Sequence, residues 1–232
     1  KLNISKIANK IITVAGTNGK GSTVSFLESV LNEKKYHVGT FTSPHILRYN
    51  ERIKINGIEI DDASLLETFE MIDEVRGDTT LTYFEFATLS AFYLFSKSNL
   101  DVAVLEVGLG GRLDATNIVD SDISIITSIG IDHTEFLGNT IDSIALEKAG
   151  VMRPFKTCIY AQEKPPAALL KYAKNKSVNL LIHNNDYRVN LGSSNWSLKS
   201  KNNSIDEIPN LKMIGDCLLY TSPSPRDDTL SR

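Results

Sequence analysis

The stretch ITVAGTNGKGSTVSFLESVL, residues 12–31, places three glycines, one lysine and the adjacent hydroxyls of Ser22 and Thr23 between two apolar segments. Residues 11–15 read as a short buried strand. From Ser22 the apolar positions change to a helical period, with Val24, Leu27 and Leu31 on one face and Phe26 and Val30 beside it. GTNGKGS (16–22) therefore joins a strand to a helix, the context a phosphate loop needs. Gly16, Gly19 and Gly21 let backbone N–H groups approach phosphate oxygens without a Cβ in the way, and Thr17 and Asn18 complete the turn. The helix that follows points its positive end at the same place. Lys20 can neutralise β- and γ-phosphate charge, and Ser22 or Thr23 can reach phosphate or metal. The common eight-residue phosphate loop would carry glycine at position 14, where Val14 stands, so this is the shorter variant G-x-x-G-K-G-S. The plainer reading is a glycine turn that happens to contain a lysine.

The same alternation continues outward. HVGTFT (37–42) reads as a second strand, and RIKINGIEI (52–60) as a hairpin turning at Asn56-Gly57. Asp61 and Asp62 are placed to cap a helix, DDASLLETFEMIDEV. TYFEFATLSAFYLFSK (82–97) is apolar over most of its surface, which predicts a buried helix. DVAVLEVG (101–108) and ISIITSIG (123–130) are the continuous apolar runs of central parallel strands. A helix is expected over 140–150, strands over 157–161 and 179–183, a helix in PPAALLKYAKNK between them, and small hairpins beyond Asn184. Strands alternating with helices imply an α/β fold: three layers around a mostly parallel sheet. One such domain is expected over 1–216. The ending CLLYTSPSPRDDTLSR (217–232) has no periodicity and reads as an unstructured tail resembling translated vector sequence, with a natural disordered tail as the alternative.

Composition narrows the function. With 41% apolar residues the 232-residue chain can bury a real core, and a net charge of −3 gives no broad grip on nucleic acid or anionic lipid. No apolar run reaches the roughly 18 residues of a membrane span. Two distant cysteines, Cys158 and Cys217, fit a reducing cytoplasm.

Ligands of open parallel sheets sit beyond the carboxyl ends of the strands. Three polar groups fall there: Ser43 after the second strand, Glu106 at the end of 101–107, and Asp132-His133 after 123–129. A hydroxyl, a carboxylate and an imidazole converging on the loop would suit a Mg²⁺–nucleotide site. Each has a plainer reading: Ser43 begins a turn, and His133 is a packed histidine. Glu106 inside an apolar run is harder to dismiss, because a buried unpaired carboxylate is costly. Arg112 and Asp114, within the glycine-rich GLGGRLDATN, read as substrate-facing groups.

In order along the chain, GTNGKGS, TSPH, TYFEFATLSAF, LEVGLGGRLDATN, TSIGIDHTEFLG and EKAG together resemble the dihydrofolate synthase/folylpolyglutamate synthase family, relatives of the Mur ligases. The likeness is dense over residues 11–154. It implies an ATP-dependent amide ligase of a Mur ligase central-domain type, in which a pteroate or folate carboxylate is phosphorylated and L-glutamate then attacks the acyl phosphate. It implies that residues 16–22 bind ATP, that Ser43, Glu106 and His133 hold magnesium, two ions in all, and that Lys20, Lys148 and His133 serve catalysis. Lys148 of EKAG matches a lysine that is carbamylated in the family. Thr82, Tyr83, Phe84 and Glu85, with Leu113, Asp114 and Ala115, match positions near the pterin, although plain core packing would also explain the aromatic ones. The family further carries an upstream pterin-binding segment and a C-terminal domain that receives glutamate, neither of which has a counterpart here. The chain is thus expected to be an incomplete, monomeric form. Three other readings stay open: a Mur ligase acting on a muropeptide, a nucleotide-binding remnant, and a nucleotide switch. The last would carry an N-K-x-D motif, which neither Asn9-Lys10 nor Asn175-Lys176 continues into.

Overall fold

The computed structural model describes residues 6–193, 195–201 and 203–209, together with Leu2 and Ile4. The expected tail, Cys217 and the expected domain end at 216 lie outside these residues. The first strand, β1 (Lys10–Ala15), feeds the glycine loop into α1 (Lys20–Glu33), which starts two residues earlier than the apolar period suggests because Gly19, in a left-handed conformation, serves as its N-cap. The chain continues through β2 (Val38–Phe41), the hairpin β3 (Ile53–Ile55) and β4 (Ile58–Glu59), and the helices α2 (Asp62–Arg76) and α3 (Tyr83–Lys97). Asn56 and Gly57 both have positive φ, 54° and 80°, as a tight hairpin turn demands. Asp61 caps α2 by accepting from the Ser64 N–H at 2.8 Å.

After β5 (Val102–Glu106) and β6 (Ile123–Ile126) come a one-turn helix α4 (Thr134–Leu137), α5 (Ile141–Ala149), β7 (Thr157–Tyr160), α6 (Ala167–Asn175) and β8 (Asn179–Ile182). The main sheet runs β4-β3-β2-β5-β1-β6-β7-β8, parallel from β2 to β8 and antiparallel only at the hairpin. The expected hairpins beyond Asn184 form a separate antiparallel sheet of β9 (Tyr187–Leu191), β10 (Asn195–Ser200) and β11 (Ser204–Pro209).

The alternation of side chains along β5 divides the core. Val102 and Val104 pack with Val24 of α1 on one face, whereas Ala103 and Leu105 pack with Ala91, Phe92 and Phe95 of α3 on the other. Ile126 and Tyr160 meet Ile144 and Ala145 of α5. Helices thus cover both faces, and the three-layer expectation holds. Helix α3 is buried or half-buried along its length, as its apolar surface predicts, and is exposed only at its ends, with Tyr83 60% exposed at its first residue. Cys158 is buried and free. Among the described residues no helix is long and apolar enough to cross a membrane.

Candidate nucleotide and metal site

Register fixes which groups meet. Val14 of β1 lies opposite Glu106 of β5, Phe41 of β2 opposite Leu105, and Ala15 opposite Ile126 of β6. The four central strands therefore end level. Their outgoing segments share one cavity of about 760 Å³, lined by Thr17, Asn18, Lys20, Ser43, Glu106, Asp114 and His133, with Tyr83 and Phe84 among its other walls. The chain direction reverses its order at β1: one crossover leads to β2 on one side and another reaches β6 on the other. This is the switch point at which open sheets hold ligands.

The glycine loop is clamped from the end of β6. Thr127 Oγ1 donates to the Asn18 carbonyl at 2.6 Å, and Ser128 Oγ accepts from the Asn18 N–H at 2.9 Å. The Thr17 N–H donates to Ser128 O at 2.9 Å, and Thr17 Oγ1 accepts from the Gly130 N–H at 3.0 Å. Residues 127–130, expected to extend the strand, leave it to serve as this clamp. A Cβ at Gly16 would lie 1.9 Å from Thr127 Oγ1, so only glycine fits there. Lys20 Nζ folds over the loop and donates to the carbonyls of Gly16 and Thr17, both at 3.1 Å. Thr23 Oγ1 is occupied by the Gly19 carbonyl at 2.8 Å. Gly16, Gly19, Gly21 and Ser22 shape the loop and the start of α1 without lining the cavity.

Ser43 and Glu106 adjoin directly: the Ser43 N–H donates to Glu106 Oε2 at 3.0 Å. Glu106 is 4% exposed, a carboxylate held at the end of an otherwise apolar strand. His133 reaches the same cavity as the N-cap of α4, at φ 46°, with Nε2 3.5 Å from Asp132 Oδ2. Hydroxyl, carboxylate and imidazole form an oxygen-weighted set that fits a hard divalent cation retaining part of its water. Among the described residues no cluster of three or more His, Cys, Asp or Glu side chains could hold a metal unaided, so water and ligand phosphates would complete the shell.

Lys148 is 3% exposed on α5. Burial, and next the charge of Lys20, push its ammonium down to about 7, while Asp132 opposes the shift. Lys148 therefore lies within electrostatic reach of the glycine loop although it does not line the cavity. Its helix is locked to the loop after β5. A Cβ at Gly111 would sit 2.8 Å from the Glu147 carbonyl, and one at Gly150 would sit 2.4 Å from Arg112 Cβ. Arg112 corrects the sequence reading. Its guanidinium binds Glu147 Oε1 from Nε and Nη2, at 3.0 and 2.8 Å, so it braces two elements instead of facing a ligand.

The expected pterin positions divide. Tyr83 and Phe84 line the cavity, and so does Asp114. Asp114 also organises its own loop, accepting from Thr116 N–H at 2.9 Å, Thr116 Oγ1 at 2.6 Å and Leu109 N–H at 2.9 Å; burial nevertheless raises its carboxyl above the usual range. Thr82 and Glu85 form a reciprocal cap on α3, with Thr82 N–H to Glu85 Oε2 at 2.7 Å and Glu85 N–H to Thr82 Oγ1 at 3.2 Å. Leu113 is 79% exposed, and neither it nor Ala115 lines the cavity.

The sequence pattern of the Mur ligase middle domain matches residues 14–213. The chain is 42% identical over 209 residues to the dihydrofolate synthase/folylpolyglutamate synthase of Escherichia coli K12, covering 90% of this chain and 50% of the relative. It is 49% identical over 176 residues to the protein of that name from Buchnera aphidicola of Schizaphis graminum, covering 76% and 42%. The chain thus spans about half the length of these relatives. Among solved structures it resembles E. coli FolC in complex with DHPP and ADP, at TM-score 0.89 and 38% identity over 97% of this chain and 57% of that one. It also resembles the Yersinia pestis folylpolyglutamate synthase/dihydrofolate synthase complexed with AMPPNP and Mn, at TM-score 0.85 and 45% identity over 90% and 50%.

Proposed function

Because this chain belongs to the Mur ligase middle domain family, we propose that it is the ATP-binding part of a cytoplasmic ligase that joins L-glutamate to dihydropteroate or a folate. The observation that carries this reading is the meeting, in one cavity, of the phosphate loop, the Ser43–Glu106 pair, His133 and the aromatic wall of Tyr83 and Phe84. A carboxylate is a poor electrophile. Its oxygen attacks the γ-phosphorus of ATP, ADP departs, and the resulting acyl phosphate offers a good leaving group. The glutamate amine then forms the amide bond as phosphate leaves and a proton is lost.

In this reading, backbone N–H groups of residues 16–22 and the N-terminus of α1 hold the phosphates. Lys20 exchanges its two carbonyl partners for phosphate oxygens and offsets the charge that gathers in transfer. Ser43, Glu106 and His133 would hold magnesium, which when bound neutralises phosphate charge. Tyr83 and Phe84 offer flat faces to a pterin, and Asp114 a polar edge. Lys148, about half uncharged near neutrality, is there in part in the form that adds CO₂: its nitrogen bonds the carbon and a proton is released. The carbamate would carry negative charge toward Lys20 and supply a site for a second cation. The likeness to folate-branch relatives argues for a pteroate or folate acceptor over a muropeptide.

Calorimetric titration with AMPPNP and Mg²⁺, followed by pteroate, tests the reading. Sequential binding of both is expected, and no AMPPNP binding would overturn it. ADP release with dihydropteroate and glutamate, measured beside the full-length E. coli relative, then reports on ligation.

A further inference from the structure

Arg52 is a buried charge that nucleotide binding leaves unused. It is 6% exposed yet lines the cavity. The β2–β3 hairpin carries it there: Phe41 lies opposite Ile53, and the Thr42 N–H donates to the Arg52 carbonyl at 2.9 Å, which sets Arg52 beside Ser43. Its guanidinium carbon stands 5.6 Å from the centroid of Tyr49 and 5.3 Å from that of Tyr83. Nε donates to His45 Nδ1 at 2.8 Å. Among the described residues this is the guanidinium's one hydrogen bond, and the ion pairs of the other arginines do not involve it.

A guanidinium taken out of water against two rings, without an anion, is costly unless a ligand supplies one. Nε is already satisfied, so the free donors are the Nη groups, in the planar fork that matches a carboxylate. The other cationic side chain of the cavity wall, Lys20, lies on the glycine loop at the phosphate end. Arg52 instead adjoins Tyr83, whose ring it faces, and Phe84 follows in the same wall.

We propose that Arg52 anchors the reacting carboxylate of the acceptor through its Nη groups while the acceptor's aromatic body lies against Tyr83 and Phe84, so that Arg52 selects an anionic aryl carboxylate and orients it beside Ser43 and Glu106. The inference rests on the ligase reading and names the residue that recognises the acceptor's charge.

Pteroate and its uncharged methyl ester, titrated against this chain and against Arg52→Met and Arg52→Lys, provide the test, with AMPPNP–Mg²⁺ titrated in parallel and thermal unfolding confirming the fold. The parent chain is expected to prefer the acid over the ester by about tenfold or more, as a charge-assisted fork gives. Arg52→Met abolishes that preference, Arg52→Lys reduces it, and AMPPNP affinity stays within about twofold because Lys20 and the loop are untouched. An intact preference in Arg52→Met, equal weakening of acid and ester, or no preference in the parent chain would each overturn the proposal. Should Arg52→Met not fold, an undiminished preference in Arg52→Lys overturns it. Failure of AMPPNP to bind the parent chain would count against the ligase reading, whereas a parent chain that binds AMPPNP but shows no acid preference, or an Arg52→Met chain that keeps it, would count against Arg52 alone.

Discussion

Replacing Lys148 with methionine should make the folded protein more stable, and the gain should depend on pH in a defined way. Unfolded, the amine has its ordinary value of 10.5; folded, burial and then Lys20 bring it to about 7. Below the folded value both states carry the proton, and the folded state bears the whole cost of a buried charge. As pH rises past the folded value, the native amine is neutral while the unfolded chain still gains by protonation. That gain, and with it the cost of folding around Lys148, fades as pH approaches the unfolded value. Linkage puts the cost at about 4 kcal/mol near pH 7 and about 2 kcal/mol near pH 9. Methionine is close in length and removes the charge without opening a cavity. Loss of the attraction to Asp132 trims the absolute gain, but the change between the two pH values survives. Urea unfolding of parent and Lys148→Met chains in CO₂-free buffer reads it directly. The stability advantage of the variant should be larger near pH 7 than near pH 9 by about 2 kcal/mol. Parallel profiles would refute the burial argument, as would an Nζ that titrates at the ordinary lysine value.

Gly16→Ala would push a Cβ into Thr127 Oγ1, so the loop must move; AMPPNP affinity should fall by about tenfold or more in calorimetry, with a stability loss of about 2 kcal/mol. Thr127→Val removes the bond to the Asn18 carbonyl and should cost about 1–2 kcal/mol in denaturant titration while weakening AMPPNP binding. Glu106→Gln should leave metal-free nucleotide binding near the parent value and abolish the increase produced by Mg²⁺, measured by titration with and without the ion. Thr82→Ala removes the α3 cap and should lower stability by about 1 kcal/mol in urea unfolding.

Signals carried by neighbouring residues were legible before the structure. The change of period at Ser22, the Asn56-Gly57 turn and the apolar runs around Glu106 each state a local preference, and together they imply the sheet. What stayed hidden depends on register between distant segments. Thr127 and Ser128 read as the end of a strand, because only the parallel pairing of Ala15 with Ile126 turns them toward Asn18. Arg112 reads as a ligand-facing cation within its loop, but its acceptor is Glu147, 35 residues on. The burial of Lys148 is equally hidden, since nothing in EKAG reports that Gly111 and Gly150 let the loop after β5 pack against its helix. Arg52 reads as the first residue of a hairpin; its place in the cavity wall follows only once that hairpin is added beside β2.

The convergence of strand ends on one metal-bound triphosphate is tested most directly by crystals grown with AMPPNP and Mn²⁺, using the anomalous scattering of manganese to locate the ion. The expected result is a peak ligated by Ser43 Oγ, Glu106 and a phosphate oxygen, with His133 in the same cluster and Lys20 on the β/γ-phosphates. An ordered nucleotide whose phosphates lie away from residues 16–22, or manganese bound without Glu106, would contradict it.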